Sequence, residues 1–187
     1  MAFGTINLDD TSTNMTSTQI YNHPQYNSSN LDNDLALIQL PTPITFTKDI
    51  QPIALVSSSQ ADNNFVGNVA IIAGFGLYDD EYTDYSQVLL WAQVQIIENT
   101  YCEQFYGPDF VQSTNICAKS DGNTNMNICT GDSGGALVAT TSAGQLIQIG
   151  INSYAAQDRC TEGYPSGYVR LTSYLDFISN ITGLTFS

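Results

Sequence analysis

The chain has 187 residues, with 18 acidic against 4 basic side chains and a formal net charge of -14. That charge repels phosphate backbones and anionic lipid, which argues against nucleic-acid or membrane-surface roles. With 42% hydrophobic and only 12% charged residues it has material for a core in one domain or two small ones, argues against disorder, and holds no apolar run long enough to span a membrane.

Residues 1–30 are polar, with short strand candidates near Thr5–Leu8 and Gln19–Asn22. His23-Pro24-Gln25-Tyr26 reads as a turn or loop, since proline and polar neighbours interrupt regular pairing. Asp34 stands directly before the apolar run Leu35–Leu40, which Pro41 and Pro43 end. Residues 41–66 look like a crossing segment, and the boundary between two halves falls inside it. The second half shows short strands at regular spacing: 68–74, 88–96, 115–118, 136–140, 146–153 and 167–171. Such spacing with turn signals between predicts an all-β sandwich or barrel. A short helix is expected over 98–105. A second is expected over 172–181, with Thr172 as cap, an apolar face of Tyr174, Leu175, Phe177, Ile178 and Ile181, and Gly183 as stop.

The stretch Cys129-Thr130-Gly131-Asp132-Ser133-Gly134-Gly135 carries the chemistry. Glycines let the backbone turn sharply and approach a ligand closely. That geometry can leave a serine hydroxyl exposed while neighbouring N–H groups converge on one point, as an oxyanion hole requires. The same residues also fit Gly-x-Ser-x-Gly, the nucleophile elbow of α/β-hydrolases. That motif needs a helix after the serine and a later histidine. Here a strand-like run follows Ser133 and no histidine does, so the elbow reading fails.

Four cysteines, Cys102, Cys117, Cys129 and Cys160, permit three connectivities. No Cys-x-x-Cys pair is present and His23 is the sole histidine, so no metal site is expected. The even count and Asn-x-Ser/Thr sequences at Asn14, Asn27 and Asn180 point to an oxidising, extracellular setting. The start, Met1-Ala-Phe-Gly-Thr-Ile-Asn-Leu, does not read as a secretory signal. The expectation is therefore an extracellular protein whose sequence is incomplete at its beginning. Asp79-Asp80-Glu81 with Asp84 lacks the ligand spacing of a calcium loop and reads as a solvated acidic loop, and Asp9 and Asp10 are read likewise.

Along nearly its whole length the chain resembles the trypsin/chymotrypsin serine proteases, above all the chymotrypsin-like and brachyurin-like enzymes of arthropods. The resemblance rests on Asn33-Asp34-Leu35-Ala36-Leu37-Ile38, on Ala73-Gly74-Phe75-Gly76 with Phe75 where tryptophan is usual, on Cys129–Gly135, on Ile151-Asn152-Ser153-Tyr154, and on Gly163-Tyr164-Pro165-Ser166-Gly167-Tyr168. It implies a chymotrypsin-like double antiparallel β-barrel with a C-terminal helix. The first barrel would be incomplete, residues 1–52 being its remnant and 53–187 the second barrel. It implies a serine endopeptidase acting through an acyl-enzyme, with Ser133 as nucleophile, Asp34 orienting the general base, and the N–H groups of Gly131 and Ser133 as oxyanion hole. The implied disulfides are Cys102–Cys117 and Cys129–Cys160. The implied substrate pocket has Asn127 at its floor, with Ser153, Tyr154, Ala155 and Ser166 around it. A neutral floor favours an apolar or mixed guest over a cation, because an unpaired buried cation is costly. Peptide or protein substrates and protease inhibitors are the implied partners, the implied state is a monomer, and no cofactor is implied.

The pattern is also broken. The family's histidine lies in a Thr-Ala-Ala-His-Cys stretch absent here, and His23, in a His-Pro-x-Tyr segment close before Asp34, reads as a packed or surface loop histidine. Asp132 matches the aspartate that pairs with an activated N-terminal ammonium, but the Ile/Val-x-Gly-Gly start is absent. The chain as given is expected to be inactive, because a serine hydroxyl without a base is a poor nucleophile. The competing readings are a non-catalytic homologue acting as a binding or regulatory protein, and an unrelated acidic β-rich extracellular module.

Overall fold

Period-two alternation in the second half of the chain becomes strands with one buried face. The computed structural model of the chain describes residues 1–10, 12–81, 84–157 and 159–186. In chain order the strands are β1 (Ile20–Asn22), β2 (Ala36–Ile38), β3 (Ala54–Leu55), β4 (Val69–Gly74) and β5 (Leu90–Ile97), then β6 (Asn115–Ser120), β7 (Ala136–Thr140), β8 (Leu146–Tyr154) and β9 (Ser166–Arg170). Helix α1 (Asn99–Tyr106) follows β5, and α2 (Leu175–Thr182) closes the chain.

Strands β4 to β9 form a closed antiparallel ring in the order β4-β5-β6-β9-β8-β7, with β7 pairing back to β4. Closure leaves these six strands without a free edge. Alternate residues point inward: Ala70 and Ile72 on β4, Val94 and Ile96 on β5, Leu137 and Ala139 on β7, Ile147 and Ile149 on β8. Strand β3 adds to β8 in parallel, while β1 and β2 form a separate antiparallel pair with Ile20 opposite Ile38. The all-β class with a β-barrel and a closing helix, expected from the sequence, is what is found.

Both disulfides form as the resemblance implied, Cys102–Cys117 and Cys129–Cys160. The first ties α1 to β6 beside buried Val111, and the second ties the glycine-rich loop to the loop before β9.

Three local expectations are corrected. Residues 5–8 make no strand, only a bridge between Asn7 and Val88. Thr5 Oγ1 donates to Asn7 O and accepts from Asn7 N–H, which turns the backbone locally instead. Thr172 does not cap the last helix. Residues Leu171–Tyr174 form a tight 3-10 turn that buries Leu171 and Tyr174, and α2 begins at Leu175 with Tyr174 in the cap position. Gly183 does end α2, in the left-handed conformation (φ 74°) that a residue with a Cβ rarely adopts. Finally, Asp80 is more than a solvated acidic residue: half-exposed, it accepts hydrogen bonds from residues 160 and 161. Its distant partner, 80 positions along the chain, is invisible to a local reading.

Candidate active site

Two reverse turns shape the loop before β7. Asp132 N–H donates to Cys129 O and Gly135 N–H to Asp132 O, each at 3.0 Å. Gly131 (φ 99°) and Gly134 (φ 82°) occupy positive-φ positions that favour glycine. Gly135 is required by a close approach, since a Cβ there would lie 2.7 Å from Asn152 Nδ2. Ser133 is exposed at the tip. Among the described residues its hydroxyl, its N–H and the N–H of Gly131 have no hydrogen-bond partner.

Asn152 of β8 supports this loop: it donates through Nδ2 to Asp132 O (2.9 Å), and its carbonyl accepts from Gly134 N–H (2.9 Å). Asp132 points inward. Its carboxylate accepts from Gly76 N–H (2.9 Å) and Cys129 N–H (3.0 Å). Burial pushes its carboxyl above the ordinary value, and those two N–H groups only partly offset the loss of water. Neither of the two ion pairs among the described residues involves it.

Asp34 arrives from the other half of the chain. Leu31 and Asn33 both sit at φ 55°, a tight turn that the polar side chain of asparagine tolerates. Asn33 Nδ2 donates to Gln25 O (2.9 Å), and Asn33 Oδ1 accepts from the Tyr174 hydroxyl (3.2 Å), so the start of the closing segment holds the turn. The Asp34 carboxylate accepts from Ser153 Oγ at 2.7 Å, across 119 positions of sequence. Asp34 and Ser133 line one cleft, of about 700 Å³, whose walls include Leu35, Leu37, Leu55 and Ile151. An unrelated module with residues 34 and 133 on opposite faces is not what this geometry describes.

His23 does not line this cleft, although its backbone N–H donates to Leu35 O (3.1 Å). Its ring packs tilted 4.7 Å from Phe177 and T-shaped 5.4 Å from Tyr174, and Nδ1 accepts from Gln25 N–H. It is the packed loop histidine that its local sequence suggested.

A smaller cavity opens beside the glycine-rich loop. Ser133, Ser153, Tyr154, Ala155, Cys129 and Cys160 all line it. Asn127 and Ser166 do not line it. They are buried together: Ser166 Oγ donates to Asn127 Oδ1 (2.6 Å), which also accepts from the Tyr168 hydroxyl (3.2 Å), while Asn127 Nδ2 donates to Tyr164 O (2.9 Å). The Asn127 amide is therefore spent on internal bonds. Burial raises the Tyr168 phenol above its ordinary value.

Asn33 and Asn152, named in the sequence only as parts of motifs, Asp80, read there as a solvated acidic residue, and Tyr85, whose ring packs on Gly131, are supports whose roles the sequence did not assign. Only Asn33 left a local signal, as an asparagine beside Asp34 suited to a left-handed turn.

The closed barrel, the serine among turn glycines and the aspartate across a shared cleft define a serine-protease scaffold, and the chain belongs to the trypsin family, whose model, described as "Trypsin", matches residues 1–178. Arthropod enzymes are among the proteins it is similar to. It is 37% identical to brachyurin of Leptuca pugilator over 179 residues, covering 95% of this chain and 74% of that protein. It is 34% identical to collagenase of Hypoderma lineatum over 171 residues, covering 91% of this chain and 62% of that one. A solved structure of HL collagenase superposes with a TM-score of 0.83 at 32% identity, covering 97% of this chain and 74% of that chain. Against chymotrypsin of Phaedon cochleariae the chain spans about half of the relative's length, 52%.

Proposed function

We propose that this chain carries part of the machinery of a secreted serine endopeptidase, acting on peptide or protein substrates and open to protease inhibitors. Ser133 is the nucleophile, Asp34 orients the general base, and the free N–H groups of Gly131 and Ser133 receive the oxyanion. Asn127, Ser153, Tyr154, Ala155 and Ser166 belong to the substrate pocket, Asn127 and Ser166 as its buried polar backing. Residues 1–52 belong to a first barrel and 53–187 to the second, and the chain acts as a monomer.

The observation that carries this reading is the shared cleft of Asp34 and Ser133, with Ser153 holding the Asp34 carboxylate. In a triad, an imidazole accepts the serine proton on one nitrogen while its other N–H donates to the carboxylate. The sole histidine of this chain is packed against Phe177 and Tyr174. The chain alone therefore leaves the Ser133 hydroxyl unactivated. A second reading, a non-catalytic binding or regulatory homologue, is favoured by the same placement of His23.

Labelling with a serine-directed phosphonate tests both. The chain alone should not label at Ser133. Adding free imidazole should restore slow labelling, abolished by Ser133→Ala and weakened by Asp34→Asn. Labelling of the chain alone contradicts the inactivity. Labelling with imidazole that Asp34→Asn leaves unchanged contradicts the pairing of Asp34 with Ser133, and no labelling with imidazole favours the binding homologue.

A further inference from the structure

Residues 77–81 and 84–86 touch the candidate site at three points. Leu77 N–H donates to Thr130 O at 2.9 Å. The Tyr85 ring covers Gly131, so closely that a Cβ at Gly131 would lie 2.6 Å from its Cε1. The Asp80 carboxylate accepts from Cys160 N–H (2.5 Å), Thr161 N–H (3.0 Å) and the Thr161 hydroxyl. The stretch 77–81 thus meets both ends of the Cys129–Cys160 bridge, Leu77 beside Cys129 and Asp80 at Cys160, and the bridge itself lines the cavity beside Ser133.

A carboxylate oxygen of Asp80 and the sulfurs of Cys129 and Cys160 lie within 4.8 Å of one another. These groups do not make a metal-ligand set, because the two sulfurs are bonded together. They place a negative charge against a disulfide. Burial alone pushes the Asp80 carboxyl up, but the hydrogen bonds from Thr161 and Cys160 outweigh it and hold it below the ordinary value. The neighbouring cation, Arg159, is engaged with the Tyr164 hydroxyl (2.7 Å) and Glu162 (3.7 Å).

We propose that Asp80 is a positioning residue: its carboxylate pins the rim at Cys160 and Thr161 to the stretch 77–81 that holds Thr130, and its charge guards the Cys129–Cys160 disulfide against anionic thiols. The positioning half rests on the role given to Gly131 and Ser133 above, and the guarding half does not. In the exchange concerned, a reagent thiolate bonds to one cysteine sulfur, the S–S bond breaks, and the other cysteine leaves as thiolate. A second reagent thiolate then displaces the first cysteine. The bridge is reduced, and two reagent thiols are oxidised to their disulfide.

The test compares reduction of the folded chain by cationic cysteamine and anionic mercaptopropionate, each rate divided by that reagent's rate on a small neutral disulfide. Alkylation and mass spectrometry read Cys129 and Cys160 separately from Cys102 and Cys117. A carboxylate this near should give a preference for the cationic thiol of about fivefold at low salt. The preference should collapse at roughly 1 M salt, where the screening length falls to about 3 Å. Asp80→Asn, which keeps the shape but not the charge, should remove most of it, leaving only the small preference that the remaining net charge gives and that the Cys102–Cys117 bridge shows as well. A preference that Asp80→Asn leaves unchanged, or that persists at high salt, overturns the guarding role. Hydrogen exchange at 129–133 and 160–161 should quicken in Asp80→Ala and recover in Asp80→Glu; unchanged exchange in Asp80→Ala overturns the positioning role. If Asp80→Ala does not fold, the same exchange comparison on Asp80→Asn decides it. None of these readouts uses Ser133 chemistry, so failure of the proteolytic reading would be seen separately in the labelling experiment.

Discussion

Asp132 carries an electrostatic cost inside the glycine-rich loop. Its carboxyl is raised above 3.8 because burial outweighs the hydrogen bonds from Cys129 and Gly76. The native state therefore holds this proton more tightly than the unfolded chain does. As pH rises past about 4, the unfolded state ionises first and stability falls, until the native carboxyl has ionised as well. Denaturant unfolding across about pH 4 to 7 should show this downward contribution in the wild type and not in Asp132→Asn. Parallel stability curves would contradict it. The motif at 129–135 was readable because glycine and serine reveal a special turn locally. The fit that fixes the carboxylate was not readable: a Cβ at Gly74 would meet Asp132 Oδ1 at 2.0 Å, and that contact joins residues 58 positions apart by their numbers, 132−74.

Strand pairing decides where Tyr154 goes. A register shift between Asn152 and Tyr154 sets Tyr154 opposite Gly167 across β8 and β9. Its ring occupies the space beside Gly167, where a Cβ would fall 1.9 Å from Cζ, and it makes T-shaped contacts with Tyr106 (5.1 Å) and Phe110 (4.9 Å). Gly167→Val should expel this ring and cost about 1–3 kcal/mol, the usual penalty of overpacking. Near-ultraviolet circular dichroism and denaturant unfolding would check this, and an unchanged spectrum with unchanged stability would contradict it. The strands themselves were legible from alternation, and α2 from its apolar spacing. The bulge was not, because a one-residue shift depends on which strand lies alongside. The cap at Thr172 failed for a related reason: Tyr174 is drawn into the cap position by burial and by its bond to Asn33, a partner 141 positions away.

With a net charge of -14, the folded chain repels itself, and its two ion pairs among the described residues are both exposed. Exposed pairs contribute little, so they do not compensate that repulsion. Raising ionic strength from about 10 mM to about 150 mM shortens the screening length from roughly 30 Å to 8 Å. The midpoint of thermal unfolding at neutral pH should rise over that range, equally with sodium and potassium chloride. A flat or falling midpoint would contradict the view that long-range repulsion limits stability here.

The amino-acid order alone determined what short-range chemistry can encode: the all-β class, the strand positions of the second half, the turn that exposes Ser133, and a resemblance that singled out Asp34 and paired the four cysteines. Tertiary structure decided which of these groups meet. Ser153 reaching Asp34, Asn152 bracing residue 132, and Asp80 clasping the 160–161 rim each join segments remote in sequence. Such contacts depend on how the strands of the ring align when it closes. Alignment is a property of whole strands packed together, so no single stretch of sequence carries it.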